Sequence, residues 1–214
     1  MRWLVVLLLA VSAAGAGPAD FAGETAGDFD YYVLSLSWSP NWCALEGDAR
    51  GAEQCDTGRG YGWSLHGLWP QYETGWPSFC SSRFRNPPRT ETAAMADIMG
   101  SGGLAWYQWK KHGRCSGLSP ENYFARARAA YAAIRRPAVF RRLLGSVRLP
   151  ASVVEQAFLA ENETLAADMI TITCKSGAIQ EARICLTREL NFRTCGSDVV
   201  QDCTLDRALM EPVR

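Results

Sequence analysis

The sequence predicts an α+β fold, a single domain over residues 30 to 214 in which helices flank an antiparallel sheet. Three observations indicate this: a strand-like alternation near residue 35, helical periodicity in the middle of the chain, and two β-rich runs after residue 168. Strands and helices do not alternate regularly, as they would in a wound parallel sheet. No repeat and no linker divides the chain.

The first sixteen residues, "MRWLVVLLLAVSAAGA", are typical of a secretory signal peptide, with a basic start, an apolar run and small residues at the end. The run is too short to cross a bilayer as a helix. Residues 17 to 29 are small, polar and rich in glycine, which predicts a flexible mature N-terminus. No later stretch predicts a transmembrane helix. We therefore expect a secreted or periplasmic protein with no membrane partner.

The first predicted strand is "DYYVLSLSWSP", residues 30 to 40, which alternates between two faces and ends at Pro40. The polar stretch 44 to 60 and the irregular stretch 71 to 90 are predicted loops. Between them "YGWSL", residues 61 to 65, is strand-like, and His66 follows directly. In the first predicted strand, residues 30 to 40, one face is apolar, with Tyr32, Leu34, Leu36 and Trp38, and the other face carries Val33, Ser35 and Ser37.

Helices are predicted from residue 91 onwards. Residues 91 to 100 and 104 to 112 have helical periodicity, and Gly113 is placed to cap the second helix. Trp106 and Trp109 fall on one side of that helix, where we expect them to anchor it in the core. Three more helical stretches follow: residues 119 to 136 with Ser119 as N-cap and Pro120 after it, residues 138 to 144, and residues 152 to 162 with a Ser152/Glu155 capping box.

The end of the domain is β-rich again. The run "DMITITCKSGAIQEARICL", residues 168 to 186, contains two strand-like segments around Lys175-Ser176-Gly177, which predicts a hairpin.

Charge and cysteine content restrict the function. Without Arg2, which would leave with the signal peptide, 21 basic side chains face 22 acidic ones. A protein that grips duplex nucleic acid over its whole surface is usually basic, so any attraction for a polyanion must be local here. The eight cysteines, an even number in an exported chain, predict four disulfides. Without a C-x-x-C pair, and with two histidines, we expect no metal site.

The two histidines lie in similar surroundings, "SLHGLWPQ" around His66 and "QWKKHGRC" around His112. Imidazole can give or take a proton near neutral pH. On a helix, Gln108, Lys111 and His112 share a face. Lys111 disfavours the imidazolium form of its neighbour and offers a fixed positive charge to an anion.

Around His66, Gly67 permits a close approach and Trp69-Pro70 forms an aromatic ledge that suits a flat group such as a nucleobase. The same residues also fit a purely structural interpretation, in which both histidines have structural roles and Trp63 and Trp69 belong to the core. Residue chemistry alone leaves both interpretations open.

The segments "SLHGLWP" (residues 64 to 70) and "QWKKHGRC" (residues 108 to 115) resemble the two active-site segments of the ribonuclease T2 family. "LSLSWSPNWC" resembles the first strand and cysteine of that family, and the resemblance covers most of residues 30 to 205. It implies an α+β endoribonuclease that needs neither metal nor cofactor. Such enzymes cleave single-stranded RNA to 2′,3′-cyclic phosphate ends, and DNA is excluded because it lacks the attacking 2′-hydroxyl.

The resemblance also implies roles for individual residues. His112 resembles the general base that takes the 2′-hydroxyl proton, and His66 the general acid that protonates the leaving oxygen. Lys111 resembles the lysine that stabilises the phosphorane, and Trp69 lies where the family stacks or orients a base.

The chain departs from the family at three positions. The second segment commonly reads H-E-x-x-K-H, whereas this chain has Tyr107 and Gln108 in place of the first histidine and the glutamate. Both can donate a hydrogen bond to a phosphate oxygen, but neither carries charge near neutral pH, so we expect a reduced rate or a shifted pH optimum. Gln71 replaces an aspartate that helps some members to select the base, which leaves base preference open.

The disulfide pairing implied by the resemblance is Cys43–Cys55, Cys80–Cys115, Cys174–Cys203 and Cys185–Cys195. The second bridge would tie the loop after His66 to the end of the His112 helix, so we expect Cys115→Ser to lower both thermal stability and activity. Nothing in the sequence indicates an oligomer, and we expect a monomer. Two alternatives remain: a secreted RNA-binding homologue without turnover, motivated by Tyr107 and Gln108, and a structural protein with incidental histidines.

Overall fold

The computed structural model describes residues 24–214, so the predicted signal peptide lies outside the described residues. One six-stranded sheet packs against helices that come mainly from the middle of the chain. The strands are β1 Tyr31–Trp38, β2 Trp63–Gln71, β3 Val147–Leu149, β4 Ile170–Lys175, β5 Ala178–Leu186 and β6 Ala208–Met210. The helices are α1 Ser39–Trp42, α2 Arg89–Ala93, α3 Ala96–Met99, α4 Gly102–Lys111, α5 Pro120–Ala133 and α6 Ala151–Glu161.

The sheet confirms the predicted α+β class. Its strand order is β2-β1-β5-β6-β3, with β4 paired to β5. The pairings of β1 with β2 and β5, of β4 with β5 and of β3 with β6 are antiparallel. The exception is a parallel contact of β5 with β6 at Ala178 and Leu209, which makes the sheet mixed.

The two faces of β1 explain how the domain is layered. Leu34 and Leu36 pair with Leu68 and Leu65 of β2 and belong to the main hydrophobic core, together with residues of α4, α5 and α6. Ser35 and Ser37 lie on the opposite face, between Gly67 and Ser64 of β2 and Arg183 and Glu181 of β5. The apolar face therefore builds the core, and the polar face is left for a site.

Several predicted helical features differ in the structure. The helix expected over residues 91 to 100 is two short helices. The Arg128 guanidinium donates to the Ala94 carbonyl, and the Ile98 amide donates to the Met95 carbonyl, so the helical bond from Ile98 to Ala94 is absent. Residues Ala138–Arg142 form a 3₁₀ turn instead of the predicted helix. The helix α6 begins after Pro150, so the Ser152/Glu155 capping box is wrong.

Two expectations near α4 are also corrected. Gly113 is no C-cap but opens the 3₁₀ turn Gly113–Ser116, and a Cβ there would lie 2.7 Å from the ring of Trp109 and 2.8 Å from that of Tyr123. Trp109 is buried as predicted, whereas Trp106 is 39% exposed beneath the ammonium of Lys110. Within the N-terminus that is predicted to be flexible, the Gly27 amide donates to the Cys115 carbonyl, and Phe29 is buried.

The eight cysteines pair as Cys43–Cys55, Cys80–Cys115, Cys174–Cys203 and Cys185–Cys195, the pairs that the resemblance implied. Asn162, which begins the sequence Asn-Glu-Thr of a glycosylation site, is buried at the end of α6. Its side chain bonds both the amide and the carbonyl of Arg135 and the carbonyl of Phe158. In residues 24–214 no helix is long and apolar enough to cross a membrane.

Candidate active site

His66 lies at a β-bulge in β2. Ser35 of β1 pairs with Gly67 and the next residue, Leu36, pairs with Leu65, so His66 is the extra residue between them. A bulge of this kind re-aims a side chain, and bulges are frequent next to active sites. The imidazole of His66 is one-third exposed, in contrast to the buried residues on either side.

A buried carboxylate holds the His66 ring. Nδ1 of His66 lies 2.5 Å from Oε1 of Glu181, which is almost completely buried on β5. Arg183 holds the other oxygen, with its Nε donating to Oε2 at 2.9 Å and its Nη2 lying 2.8 Å from the same atom. Burial alone would raise the pKa of Glu181, but the hydrogen bond and charge of His66 and the charge of Arg183 hold it well below its usual range.

The ionised state of Glu181 fixes the orientation of the histidine proton. An ionised carboxylate only accepts hydrogen bonds, so Nδ1 of His66 carries a hydrogen. Nε2 is then the atom left to exchange a proton with a bound molecule.

His112 has the opposite environment. It follows the last residue of α4, is buried, and its Nδ1 has no hydrogen-bond partner among the described residues. Burial, with smaller contributions from the charges of Lys111 and His66, lowers the pKa of His112 to about 3. The ring is therefore neutral over the ordinary pH range and able to accept a proton.

Trp69 holds the two histidines together. Its ring centroid lies 5.2 Å from that of His66 in an edge-on arrangement and 5.2 Å from that of His112 in a stacked one. Its Nε1 donates to Oε1 of the buried Gln108 at 2.7 Å. Gly67 is required beside this bond, because a Cβ there would collide with both bonded atoms.

All seven predicted site residues line one cavity of about 500 Å³. Lys111 reaches it from the end of α4, and Gln71 from the end of β2. Two aromatic side chains in this cavity are accessible, Tyr107 at 47% and Trp76 at 53% exposure. The residues that the structure brings together are His66, Trp69, Gln71, Tyr107, Gln108, Lys111 and His112.

Comparison with known proteins identifies the family. Residues 29–195, most of the chain, match the Ribonuclease T2 family. The chain belongs to this family. A ribonuclease of Aeromonas hydrophila is 44% identical over 123 residues, covering 58% of this chain and 54% of that protein. Ribonuclease I of Escherichia coli K12 is 31% identical over 164 residues, covering 57% and 61%. The chain thus spans about half to three-fifths of the length of these relatives.

Solved structures of T2 ribonucleases share the fold. The structure of trichomaglin, described as an S-like ribonuclease, superposes with a TM-score of 0.67 at 18% identity and covers 86% of this chain and 98% of its own. A ribonuclease-related protein from Calystegia sepium superposes with a TM-score of 0.65 at 21% identity, covering 84% and 96%. These likenesses establish the architecture of a T2 ribonuclease.

Three residues at the site of this T2 family member were missed in the sequence. Glu181 and Arg183 are the two charged residues of the strand "AIQEARICL", which is apolar apart from them and Gln180, and charged residues inside such a strand are a signal that sequence reading can use. Trp76 lies in a segment that reads as an irregular loop, and no local pattern distinguishes it there. It offers an accessible aromatic face, whereas the ring of Trp69 already contacts His66, His112 and the guanidinium of Arg183.

Proposed function

We propose that this protein is an endoribonuclease that cleaves single-stranded RNA by transphosphorylation, with His112 as the base and His66 as the acid. One observation carries the assignment. Nδ1 of His66 is hydrogen-bonded to a buried carboxylate, whereas Nδ1 of His112 has no hydrogen-bond partner among the described residues. Glu181 therefore orients the ring of His66, and burial keeps the ring of His112 neutral. A general base must be neutral to accept a proton, and a general acid must be oriented to donate one, so the two histidines need different surroundings.

The reaction then proceeds in one displacement. His112 takes the proton of the 2′-hydroxyl, and the 2′-oxygen attacks the neighbouring phosphorus. The bond from phosphorus to the 5′-oxygen breaks, and His66 gives its proton to that oxygen. The products are a 2′,3′-cyclic phosphate and a free 5′-hydroxyl, and solvent returns both rings to their starting states. Lys111 stabilises the negative charge that the phosphorane gains.

Two cavities accommodate the nucleotides on either side of the phosphate. The cavity of about 500 Å³ holds His112, so it takes the nucleotide whose 2′-hydroxyl attacks, with Trp76 and Tyr107 available to stack on its base. A second cavity, of about 570 Å³, shares His66 and Tyr107 with the first. We assign the leaving nucleotide to it, because His66 protonates the leaving oxygen.

The experiment uses purified protein with its disulfides formed, in the presence of EDTA, incubated with single-stranded RNA between pH 4 and 8. Fragments that end in 2′,3′-cyclic phosphate, and that are absent with His66→Ala and His112→Ala, are the expected result. A DNA strand of the same sequence serves as the control and should remain intact. Cleavage by the wild type that persists in both variants would contradict the assignment.

The second candidate is an RNA-binding protein without turnover. Tyr107 and Gln108 favour it, because Gln108 is buried and uses its carbonyl to hold Trp69. Intact RNA from a folded protein that still binds single-stranded RNA would support this candidate. In either case we propose that the protein works in an oxidising compartment, secreted or periplasmic, since four disulfides persist there.

A further inference from the structure

We infer that Arg183 binds the scissile phosphate and, together with Glu181, supplies the charged pair that this chain lacks at Tyr107 and Gln108. The inference deepens the proposed function and rests on it. It assigns Arg183 a contact with substrate, and Glu181 a positioning role through His66 and Arg183.

The first argument is location. Arg183 lines the same cavity as both histidines and Lys111, and its side chain is 23% exposed. It lies opposite Ser35 in the register of β1 and β5, and Ser35 lies opposite Gly67 in β2. The small side chain on the intervening strand leaves room for the guanidinium beside the segment that carries His66.

The second argument is the fixed orientation of the guanidinium. Two of its nitrogens are committed to one oxygen of Glu181, and its carbon lies 5.5 Å from the centre of the Trp69 ring. Trp69 is itself held by Gln108. The remaining nitrogen, Nη1, makes no hydrogen bond with any described residue. A guanidinium held on one edge and free on the other is arranged to donate to an oxyanion.

The third argument is charge. A phosphate diester carries one negative charge, and the phosphorane carries a second. With His66 protonated, the charges of His66, Lys111 and Arg183 against that of Glu181 give a net of about +2 to meet it. Without Arg183 the net would be about +1. The histidine and glutamate that are usual in the family place one cation and one anion on the helix that corresponds to α4. In this chain Arg183 and Glu181 of β5 provide the cation and the anion.

The test compares Arg183→Gln with Arg148→Gln, a matched change at an exposed arginine on β3. All variants are first checked for folding by their melting temperature and near-ultraviolet circular dichroism. We expect Arg183→Gln to lower kcat by about 10²–10³-fold, the usual effect of removing one donor to a developing oxyanion. Arg148→Gln should leave kcat unchanged. A kcat for Arg183→Gln within twofold of the wild type would overturn the inference.

A double-mutant cycle separates contact with the phosphate from mere support of Glu181. If Arg183 touches the phosphate, Arg183→Gln lowers kcat further when it is added to Glu181→Gln. If Arg183 acts only by holding the carboxylate, the double variant and Glu181→Gln are equal, which would overturn the contact. Arg183→Lys should recover part of the rate, because it keeps the charge without the fork of donors.

A binding assay with an uncleavable strand distinguishes a failure of this inference from a failure of the proposed function. An RNA with 2′-O-methyl groups has the phosphate but no attacking hydroxyl. We expect Arg183→Gln to weaken its binding about 10-fold and Arg148→Gln to leave it unchanged. If the wild type cleaves nothing and this difference remains, the proposed function fails while Arg183 keeps its phosphate contact. Equal binding by both variants would overturn the contact.

Discussion

Removal of the Cys80–Cys115 bridge should reduce both stability and catalysis. The bridge joins the segment after β2, which carries Trp76, to the turn that follows His112, and both cysteines are completely buried. The same two segments are joined by the Phe79 amide, which donates to the Lys111 carbonyl at 2.8 Å. The double change Cys80→Ala with Cys115→Ala is cleaner than Cys115→Ser, which leaves a free thiol and buries a hydroxyl.

The size of the effect follows from the length of the closed loop. The two cysteines are 35 residues apart, for which loop-closure entropy gives a stabilisation of about 3.8 kcal/mol. For a protein of this size, 1 kcal/mol shifts the melting temperature by roughly 2–4 °C. We therefore expect the melting temperature to fall by roughly 8–15 °C.

The matched control is the bridge Cys174–Cys203, also replaced by alanines. Its cysteines are 29 residues apart, so the expected loss of stability is nearly the same, about 3.6 kcal/mol. It joins β4 to the C-terminal loop and carries neither histidine. Unfolding in guanidinium chloride and kcat/KM at 20 °C are measured for both variants. The reasoning is refuted if the Cys80/Cys115 variant has the same melting temperature as the wild type. It is also refuted if this variant loses stability but has the same kcat/KM as the Cys174/Cys203 variant.

Four further predictions concern single positions. Because the neutral form of His112 exists above its pKa of about 3, kcat/KM should persist as the pH falls and be lost only near pH 3; an acid limb above pH 5 would contradict this. Lys111→Met should lower kcat by about 10²–10³-fold with the fold intact, and an unchanged kcat would remove Lys111 from the mechanism. Gln108→Glu keeps an acceptor for Trp69 and adds a negative charge near His112, so the acid limb should move to higher pH; an identical pH profile argues against that proximity. Asn162→Ala should lower the free energy of unfolding by roughly 1–3 kcal/mol, and the wild type made in a eukaryotic secretory host should carry no glycan there by mass spectrometry.

The sequence predicted most of the fold because its signals are local. The alternation in residues 30 to 40 and the hairpin around Lys175-Ser176-Gly177 depend on neighbouring residues only, and both appear as strands in the structure. Where packing decides, local patterns fail. Trp106 and Trp109 look equivalent on the helix, but only Trp109 meets Tyr123 and Phe124 in the core. Gly113 looks like a cap, and its real constraint is the two rings beside it, that of Trp109 and that of Tyr123, which lies ten positions later.

The site shows the same limit. Two short segments indicated both histidines and Lys111, because each segment carries its own chemistry. The partner of His66 lies 115 residues further along the chain. The contact exists only because β1 pairs with β2 on one edge and with β5 on the other, with a bulge at His66. No pattern within one strand specifies a register between three.

The division of labour between the histidines therefore comes from the fold more than from their sequence neighbours. Both are followed by glycine and lie near tryptophan, and in a short peptide both rings would titrate alike. The bulge turns His66 towards a carboxylate that Arg183 helps to keep ionised. The end of α4 buries His112 beside a lysine, with Nδ1 facing no acceptor in the described residues. The β1 register contributes to this arrangement, because it places the small side chain of Ser37 opposite both Ser64 and Glu181.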